Sequence, residues 1–240
     1  MLSKNQQKLI RQLAKKKYRQ QLGLFVAEGE KLVYELLQAG WKAQSVFTTV
    51  PFDPWEYTMV NPEQLNRATH LATASTVLGV FHLPEYPFDE PDLEAFSLVL
   101  DGIADPGNLG TIIRLCDWYG IRNIYCSSNT VDCFNPKVVQ STMGSIARVK
   151  CHYTDLEALV GRVRLPVFAA VLSGESHYKV PFPHAGLLVL GSESHGIRPE
   201  LLKKITNKIT IKSRVQGEAH AESLNVATAS AILLSEIFRG

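Results

Sequence analysis

The chain has 240 residues, which is enough for one or two domains with a substantial hydrophobic core. Hydrophobic residues make up 45% and charged residues 20%, a composition that excludes a disordered or fibrous chain. The longest uninterrupted apolar run, Val167 to Leu172, is far shorter than the ~20 residues of a membrane-spanning helix, so no membrane partner is expected.

The charge of the chain is unevenly distributed. Residues 1–27 carry seven basic side chains and no acid, whereas the other 213 residues carry 18 basic and 23 acidic ones. This predicts a basic arm on a mildly acidic body and favours a polyanionic partner, nucleic acid first. A solvated helix face and an organellar transit peptide stay open as alternatives, although the arm has one serine and runs directly into patterned sequence.

The first ninety residues predict a small α/β domain. Its predicted elements are a basic amphipathic helix over 4–22 ended by Gly23, a strand at 24–26, a helix closed by Gly40, a strand at 45–49 and a helix begun by Asn61-Pro62. The stretch from Leu83 to Pro91 holds three prolines and three acids with little periodicity, which indicates a linker. The expected domains are therefore 1–90 and 91–240.

The second half alternates apolar strands, Gly-rich turns and helices. Strands are predicted at 97–100, 123–127, 167–172 and 187–190, and helices up to Tyr119, from Asn135-Pro136 and over 222–238. Such short, nearly continuous apolar runs suit strands buried on both faces. We therefore expect a parallel sheet between layers of helices.

The cysteines give a further constraint. They have no C-x-x-C spacing and are too sparse to cross-link a chain of this size: Cys116, Cys126, Cys133 and Cys151. This pattern predicts reduced thiols in a cytoplasmic protein, without a cysteine zinc site, and no metal ion is expected.

A turn rich in Gly, Asp and Pro occupies the stretch from Leu100 to Arg114. It follows a strand and opens a helix, which is where α/β folds bind ligands. It matches neither the dinucleotide fingerprint nor a P-loop. Asn108 and Arg114 can face the same crevice if the helix begins near Gly110.

Two more segments carry polar residues at a strand end or a helix start. In 191–197, Glu193 is either a functional carboxylate or an ordinary charge at a helix N-terminus, and His195 is better explained as a solvated turn residue than as a base. In the third segment, Ser223 is the expected N-cap of the last helix. Asn225, in apolar surroundings, needs hydrogen-bond partners and is either a structural pin or a ligand contact.

The three segments together resemble a known family. N-x-G-x-x-x-R (108–114), G-x-E-x-x-G (191–196) and S-L-N-V-A (223–227) are similar to the three motifs of the SpoU/TrmH family of RNA ribose 2′-O-methyltransferases, which belong to the SPOUT class. The resemblance covers roughly Phe96 to Gly240. The stretch 3–37 is similar to the RNA substrate-binding domain that many members carry, in agreement with the basic arm.

The resemblance implies a C-terminal SPOUT-type parallel sheet with a deep trefoil knot, preceded by a small α/β (L30e-like) domain. General topology rules would not predict a knot. The resemblance also implies S-adenosylmethionine bound in the knot and a homodimer formed through the C-terminal domain. The implied cofactor contacts are Leu172, Gly191, Ile211 and Leu224. The loop 212–222 is longer than the family pattern and is expected to border the methionine moiety.

The implied reaction is methylation of a ribose 2′-hydroxyl in structured RNA, ribosomal in preference to transfer RNA. The catalytic residues implied are Arg114, Asn108, Glu193, Ser223 and Asn225. A guanidinium keeps its positive charge at neutral pH, so electrostatic stabilisation of the developing alkoxide is favoured over a base role for Arg114. The expected RNA contacts are Lys4, Lys8, Arg11, Lys15, Lys16, Arg19 and Arg114.

Two alternatives stay open: a catalytically silent RNA-binding protein of the same fold, and a nucleotide-dependent α/β enzyme. For assembly, the last helix carries large apolar residues on several sides: Ile232, Leu233, Leu234, Ile237 and Phe238. Because contiguous exposed apolar surface usually marks an interface, this helix is expected near a two-fold axis. Coverage of the helix by the N-terminal domain is the alternative.

Overall fold

The computed structural model describes residues 2–215 and 221–239, so the middle of the predicted loop 212–222 lies outside the described residues. In chain order the elements are α1 (Lys4–Gln12), α2 (Lys16–Leu22), β1 (Leu24–Glu28), α3 (Glu30–Gln38), β2 (Ala43–Thr48), β3 (Thr58–Met59), α4 (Pro62–Asn66), β4 (Val77–His82), β5 (Phe96–Asp101), α5 (Pro106–Trp118), β6 (Asn123–Cys126), α6 (Pro136–Thr142), β7 (Lys150–Tyr153), α7 (Leu156–Arg162), β8 (Val167–Ser176), β9 (Gly186–Gly191), α8 (Pro199–Leu202), β10 (Asn207–Thr210) and α9 (Val226–Ile237). In the described part of the chain, no helix combines the length and apolar character needed to cross a membrane.

The chain folds into two compact units. The first comprises the residues up to Pro87 together with Asp132–Arg148, and the second comprises Phe88–Val131 and the residues from Val149 onward. The predicted division at residue 90 therefore differs from this grouping by residues 88–90 and by the segment 132–148. The local sequence pattern of that segment does not indicate that it belongs to the first unit.

The sheet of the first unit has the strand order β1-β4-β2-β3. Strand β4 pairs antiparallel with both β1 and β2, and the short β3 pairs parallel with β2. Its core combines side chains from this sheet with apolar residues of the N-terminal helices: Ile10, Leu13, Val26, Phe47 and Leu78 are all buried. The predicted α/β character of this part of the chain is confirmed.

The predicted single helix over 4–22 is wrong, because the structure has two helices separated by residues 13–15. Helix α1 begins with a capping box in which the Ser3 hydroxyl accepts a hydrogen bond from the Gln6 backbone N–H at 3.2 Å. The chain then turns at Lys15, whose backbone is extended. Gly23 ends α2 at φ 65°, a left-handed conformation that glycine adopts without steric cost, as predicted.

Arg19 explains the break between the two helices. Its Nη1 donates to the carbonyls of Leu13 and Ala14 at 2.8 and 2.9 Å, and its Nη2 pairs with the Asp132 carboxylate at 2.6 Å. The side chain is 2% exposed. Because a buried guanidinium must keep its carboxylate and carbonyl partners, the prediction that Arg19 contacts RNA is corrected to a structural role.

The second unit contains six parallel strands in the order β10-β8-β9-β5-β6-β7, which confirms the predicted parallel sheet. Strands β5 and β9 are neighbours near its centre and are almost entirely buried. Their register pairs Asp101 with Gly191. The first two motif segments therefore start side by side at the carboxyl edge of the sheet.

Strand β8 contains a bulge that the sequence did not indicate. Its register with β10 runs from Ala169↔Lys208 directly to Glu175↔Ile209, so residues 170–174 have no partner there. Leu172 lies in this bulge and is 75% exposed, instead of ending a strand as its predicted position implies. A Cβ at Gly174 would approach the Lys208 backbone to 2.7 Å, so only glycine fits at this position.

Helix α9 starts later than predicted. Its N-cap is Asn225, whose Oδ1 accepts from the backbone N–H groups of Ala227 at 3.0 Å and Thr228 at 3.3 Å. The prediction that Ser223 is the N-cap is therefore wrong. Leu233 and Leu234 are buried within the protomer, so only part of the apolar surface of this helix is open.

Candidate active site

A cavity of about 520 Å³ lies at the carboxyl ends of β5 and β9 in the second unit. Its lining comes from the loops that follow β5, β6 and β9 and from the starts of α5 and α9: Asp101–Asp105, Asn108, Asn129, Ser192–Gly196, Arg198 and Val226. This edge of a parallel α/β sheet is where ligands bind in such folds. The first two motif segments thus meet at the place that the strand-turn-helix pattern predicts.

Helix α5 positions Asn108 at this cavity. The helix begins at Pro106, whose fixed φ suits the first helical position, and Asp105 is its N-cap. The Asp105 carboxylate accepts a hydrogen bond from the Asn108 backbone N–H at 2.8 Å. Asn108 is therefore held in the first turn of the helix.

Three side chains, one from each motif, form a closed set of hydrogen bonds. Asn108 Nδ2 donates to Glu193 Oε1 at 3.0 Å, and Asn225 Nδ2 donates to the same oxygen at 2.6 Å. Asn225 Nδ2 also donates to Asn108 Oδ1 at 3.0 Å, and the Val226 backbone N–H lies 3.4 Å from Glu193 Oε1. Glu193 is thus the common acceptor that fixes two amides whose positions in the sequence are 117 residues apart.

A second polar pair in the cavity was missed by the sequence analysis. Asp101 is 1% exposed and accepts from the Arg198 backbone N–H and from Arg198 Nε, both at 2.8 Å. Since an ionised carboxylate is rarely buried without a partner, an acid at the end of an apolar strand is a signal that could have indicated this pair. The pair fixes the end of β5 to the turn after β9.

Arg114 does not line the cavity of its own chain. Because α5 begins at Pro106 and not near Gly110, Asn108 and Arg114 are both helical and six residues apart, which turns them about 120° away from each other around the axis. The prediction that the two side chains face one crevice is wrong for a single chain. Arg114 is exposed and lies one turn before Trp118, whose exposure is 84%.

Of the two remaining motif residues, the predicted catalytic Ser223 and the turn residue His195, only His195 lines the cavity. Ser223 is exposed and is not in the cavity lining. His195, which the sequence interpretation places in solvent, is exposed but lines the cavity, and its Nδ1 lies 2.8 Å from Ser194 Oγ.

The predicted cofactor contacts lie outside this cavity, along neighbouring strands. Leu172 is in the bulge of β8, Gly191 ends β9, and Ile211 directly follows β10. Thr210 Oγ1 donates to the Leu172 carbonyl at 3.1 Å, which joins two of these segments. Leu224, just before α9, is 46% exposed.

The first unit has a concave surface of its own, with a volume of about 460 Å³. It contains four of the cations expected to bind RNA, together with three uncharged polar residues: Lys4, Lys8, Arg11 and Lys15, with Gln7, Gln12 and Tyr18. Lys16 is exposed but is not part of this lining.

These features define an α/β protein with a ligand-sized cavity at the carboxyl edge of a parallel sheet and a separate unit with a cationic surface. The chain belongs to the SpoU rRNA Methylase family, whose family model matches residues 95–235. A second model, the MRM3-like substrate binding domain, matches residues 4–79. The resemblance noted from the three motifs is confirmed, and the chain is an RNA methyltransferase.

Individual relatives agree with this assignment. The chain is 30% identical to the 23S rRNA (guanosine(2553)-2'-O)-methyltransferase RlmP of Bacillus subtilis, over 97% of this chain and 96% of that protein. A TrmH-family protein from Porphyromonas gingivalis has a structure with a TM-score of 0.87 and 38% identity, covering 100% of this chain and 99% of that one. The AdoMet-bound rRNA methyltransferase from Sinorhizobium meliloti has a TM-score of 0.86 and 28% identity, covering 100% and 97%.

Proposed function

We propose that this enzyme methylates a ribose 2′-hydroxyl of ribosomal RNA, with S-adenosylmethionine as methyl donor. The observation that carries the proposal is the hydrogen-bonded set of Asn108, Glu193 and Asn225 beside the 520 Å³ cavity. The name of the Bacillus subtilis relative supports the 2′-O position and ribosomal RNA. In this proposal the first unit binds RNA and the second carries out the transfer.

The residues expected at the cofactor suit such a ligand. Leu172 and Leu224 expose large apolar side chains, 75% and 46% of their surfaces, which an adenine ring would cover. A Cβ at Gly191 would lie 2.1 Å from the Gly196 backbone, so glycine is required here for the turn after β9 to fold back against the end of its strand. When bound, S-adenosylmethionine would supply a methyl group on a positively charged sulfur, and Leu172, Gly191, Ile211 and Leu224 would hold it. The trefoil knot stays a prediction.

The cavity residues position the ribose rather than activate it by proton removal. Asn108 and Asn225 are held by Glu193, so their amide groups are preorganised, and this lowers the entropic cost of orienting the substrate. A guanidinium is a fixed positive charge, so Arg114 would stabilise the developing alkoxide and pair with an RNA phosphate. Because Arg114 lies outside the cavity of its own chain, it would act at the site of the partner subunit in the dimer proposed below. Ser223, two residues before Asn225, orders the segment that leads into α9.

We further propose a homodimer formed through α5 and α9. These two helices pack together in the second unit, where Tyr119 stacks on Phe238 with ring centroids 5.2 Å apart. Trp118 and Phe238 remain 84% and 40% exposed, which is unusual for large aromatic side chains unless a partner covers them. Arg114 shares the helix face of Trp118, so the same contact would bring Arg114 to the interface.

Sedimentation tests the dimer. Trp118→Glu is expected to convert a species of twice the 26.7 kDa chain mass into a monomer with reduced activity. An active wild-type monomer at micromolar concentration would show that the dimer is not required.

Four buried thiols support a cytoplasmic site of action, where such groups stay reduced. The enzyme fractionating with a cytoplasmic marker after cell lysis is the expected result. Recovery with a membrane or secreted fraction would contradict it.

The reaction is tested with S-adenosylmethionine labelled in the methyl group and ribosomal RNA from cells lacking the gene. A 2′-O-methyl group blocks alkaline cleavage of the following phosphodiester, so the label should appear in alkali-resistant dinucleotides. Label in mononucleotides would indicate base methylation and refute the ribose assignment. RNA binding without any transfer or cofactor retention would instead indicate a catalytically silent relative.

A further inference from the structure

The 460 Å³ concave surface of the first unit combines two kinds of chemistry. Lys4, Lys8, Arg11 and Lys15 recur at spacings of three and four residues, so α1 and the turn after it present them along one side. All four side chains are exposed, and within 2–215 and 221–239 none of them is in an ion pair with a carboxylate. Their charge is therefore available to a ligand.

Arg19, unlike these four cations, has no charge available to a ligand. It belongs to the same basic stretch, yet it is buried against Asp132 and against the carbonyls that follow α1. By fixing the turn at 13–15, it sets the geometry of the two helices that enclose the concave surface. The cations are thus divided between one that shapes the surface and four that line it.

Tyr18 and two amides give this surface more than charge. Tyr18 lies in the first turn of α2, is only partly exposed and contributes to the lining beside Gln7 and Gln12. An aromatic ring can stack on a nucleobase, and amide groups can hydrogen-bond its edges. A fully paired duplex offers phosphates but keeps its bases stacked inside, so Tyr18, Gln7 and Gln12 could not contact a base in it.

We propose that this concave surface binds one unpaired nucleotide of the RNA substrate, with its base stacked on Tyr18 and its flanking phosphates on the four cations. The inference rests on the proposed function for the presence of RNA, and it adds that the first unit recognises a bulged or loop nucleotide instead of a duplex. The volume is within the range of pockets that take a small ligand, about 300–1,000 Å³.

Binding by the full-length protein, without S-adenosylmethionine, tests this directly. The probes are a fluorescein-labelled RNA hairpin with an unpaired loop and a fully paired RNA duplex with the same number of phosphates, measured by fluorescence anisotropy. Tyr18→Leu should weaken hairpin binding about 5- to 150-fold, from the usual contribution of one stacked base, and duplex binding less than about 2-fold. Its salt dependence should be unchanged, because no cation is removed.

Three variants serve as controls. Tyr18→Phe keeps the ring and should bind the hairpin nearly as tightly as the wild type. Tyr34→Leu removes a different tyrosine of the same unit, which is 40% exposed on α3 and lies outside the concave surface, and it should leave both affinities unchanged. The double variant Lys8→Ala with Arg11→Ala should weaken both probes alike and reduce the slope of affinity against salt.

Equal loss on hairpin and duplex after Tyr18→Leu, or no loss at all in a variant with wild-type circular dichroism, would overturn the proposal. A second readout is quenching of 2-aminopurine placed in the loop, which is expected with the wild type and absent with Tyr18→Leu. Because the experiment needs no methyl transfer, absence of transfer with an intact Tyr18 effect would refute only the catalytic proposal.

Discussion

Asn225 has two separable roles that substitutions can distinguish. Its Oδ1 caps α9 by accepting from Ala227 and Thr228, whereas its Nδ2 joins Asn108 and Glu193. Serine keeps a capping oxygen but is too short to bridge, and alanine loses both roles. Aspartate keeps the cap and places a second carboxylate where the 2.6 Å hydrogen bond to Glu193 was.

The magnitudes follow from these contacts. Loss of the cap costs about 1 kcal/mol of unfolding free energy. Loss of the bridge, which includes a hydrogen bond to a carboxylate, costs about 1 kcal/mol because Glu193 and Asn225 are exposed to solvent and Asn108 is partly exposed. We therefore expect destabilisation of about 1 kcal/mol for Asn225→Ser and about 2 kcal/mol for Asn225→Ala.

Aspartate adds a pH dependence to this series. Two neighbouring carboxylates favour sharing a proton, so the pair has one raised pKa in the folded state. The folded state of Asn225→Asp then binds a proton more tightly than the unfolded state. Its loss of unfolding free energy relative to the wild type should therefore be small at acid pH and grow as the pH rises towards 8.

Urea unfolding followed by circular dichroism measures the stabilities, and methyl transfer to ribosomal RNA measures activity. All three variants should lose on the order of 10- to 100-fold in activity, because the amides of the site are no longer aligned. Wild-type stability and activity in Asn225→Ser would refute the bridging role and leave Asn225 as a helix cap alone.

Three further outcomes are expected. Arg114→Ala should abolish methyl transfer but keep retention of labelled S-adenosylmethionine in a filter assay, since Arg114 is assigned to the ribose; near-normal turnover would disprove that role. Arg19→Ala should cost roughly 3 kcal/mol or more in urea unfolding, because it leaves buried polar groups unpaired, while Lys15→Ala should change stability by less than about 0.5 kcal/mol. Burial lowers the pKa of His70 below its ordinary 6.5, so the unfolded chain binds the proton more tightly and stability should fall as the pH drops through about 6.5. His70→Leu should reduce that slope in a urea titration, and an unchanged slope would assign the effect to other groups.

Much of the second unit was predictable because local pattern and topology agree there. Parallel strands buried on both faces give continuous apolar runs, and the loops that follow β5 and β9 meet at one edge of the sheet. Asn108 and Glu193 could therefore be expected at one site. Their actual bond geometry depends on where α5 begins, and Pro106 sets that start four residues earlier than Gly110.

The predictions about Arg19, the helix over 4–22 and strand β8 were wrong because contacts between residues far apart in the sequence determine these structures. Composition cannot separate Arg19 from the exposed cations around it, because its partner Asp132 is 113 residues away. The helical pattern of the sequence continues through residues 13–15, and it does not indicate that Arg19 donates hydrogen bonds to the carbonyls of Leu13 and Ala14. Likewise, the bulge in β8 depends on the register with β10, which a single strand does not encode.

Because segment 132–148 belongs to the first unit, it affects how this unit can fold during synthesis and which fragment of the chain can fold alone. A fragment ending at residue 90 would contain Arg19 but neither Asp132 nor α6, so its guanidinium would be left buried without a carboxylate. During synthesis the N-terminal unit must likewise wait until residue 148 has left the ribosome before its last helix can dock. An isolated RNA-binding fragment should therefore join 1–87 to 132–148 through a short linker.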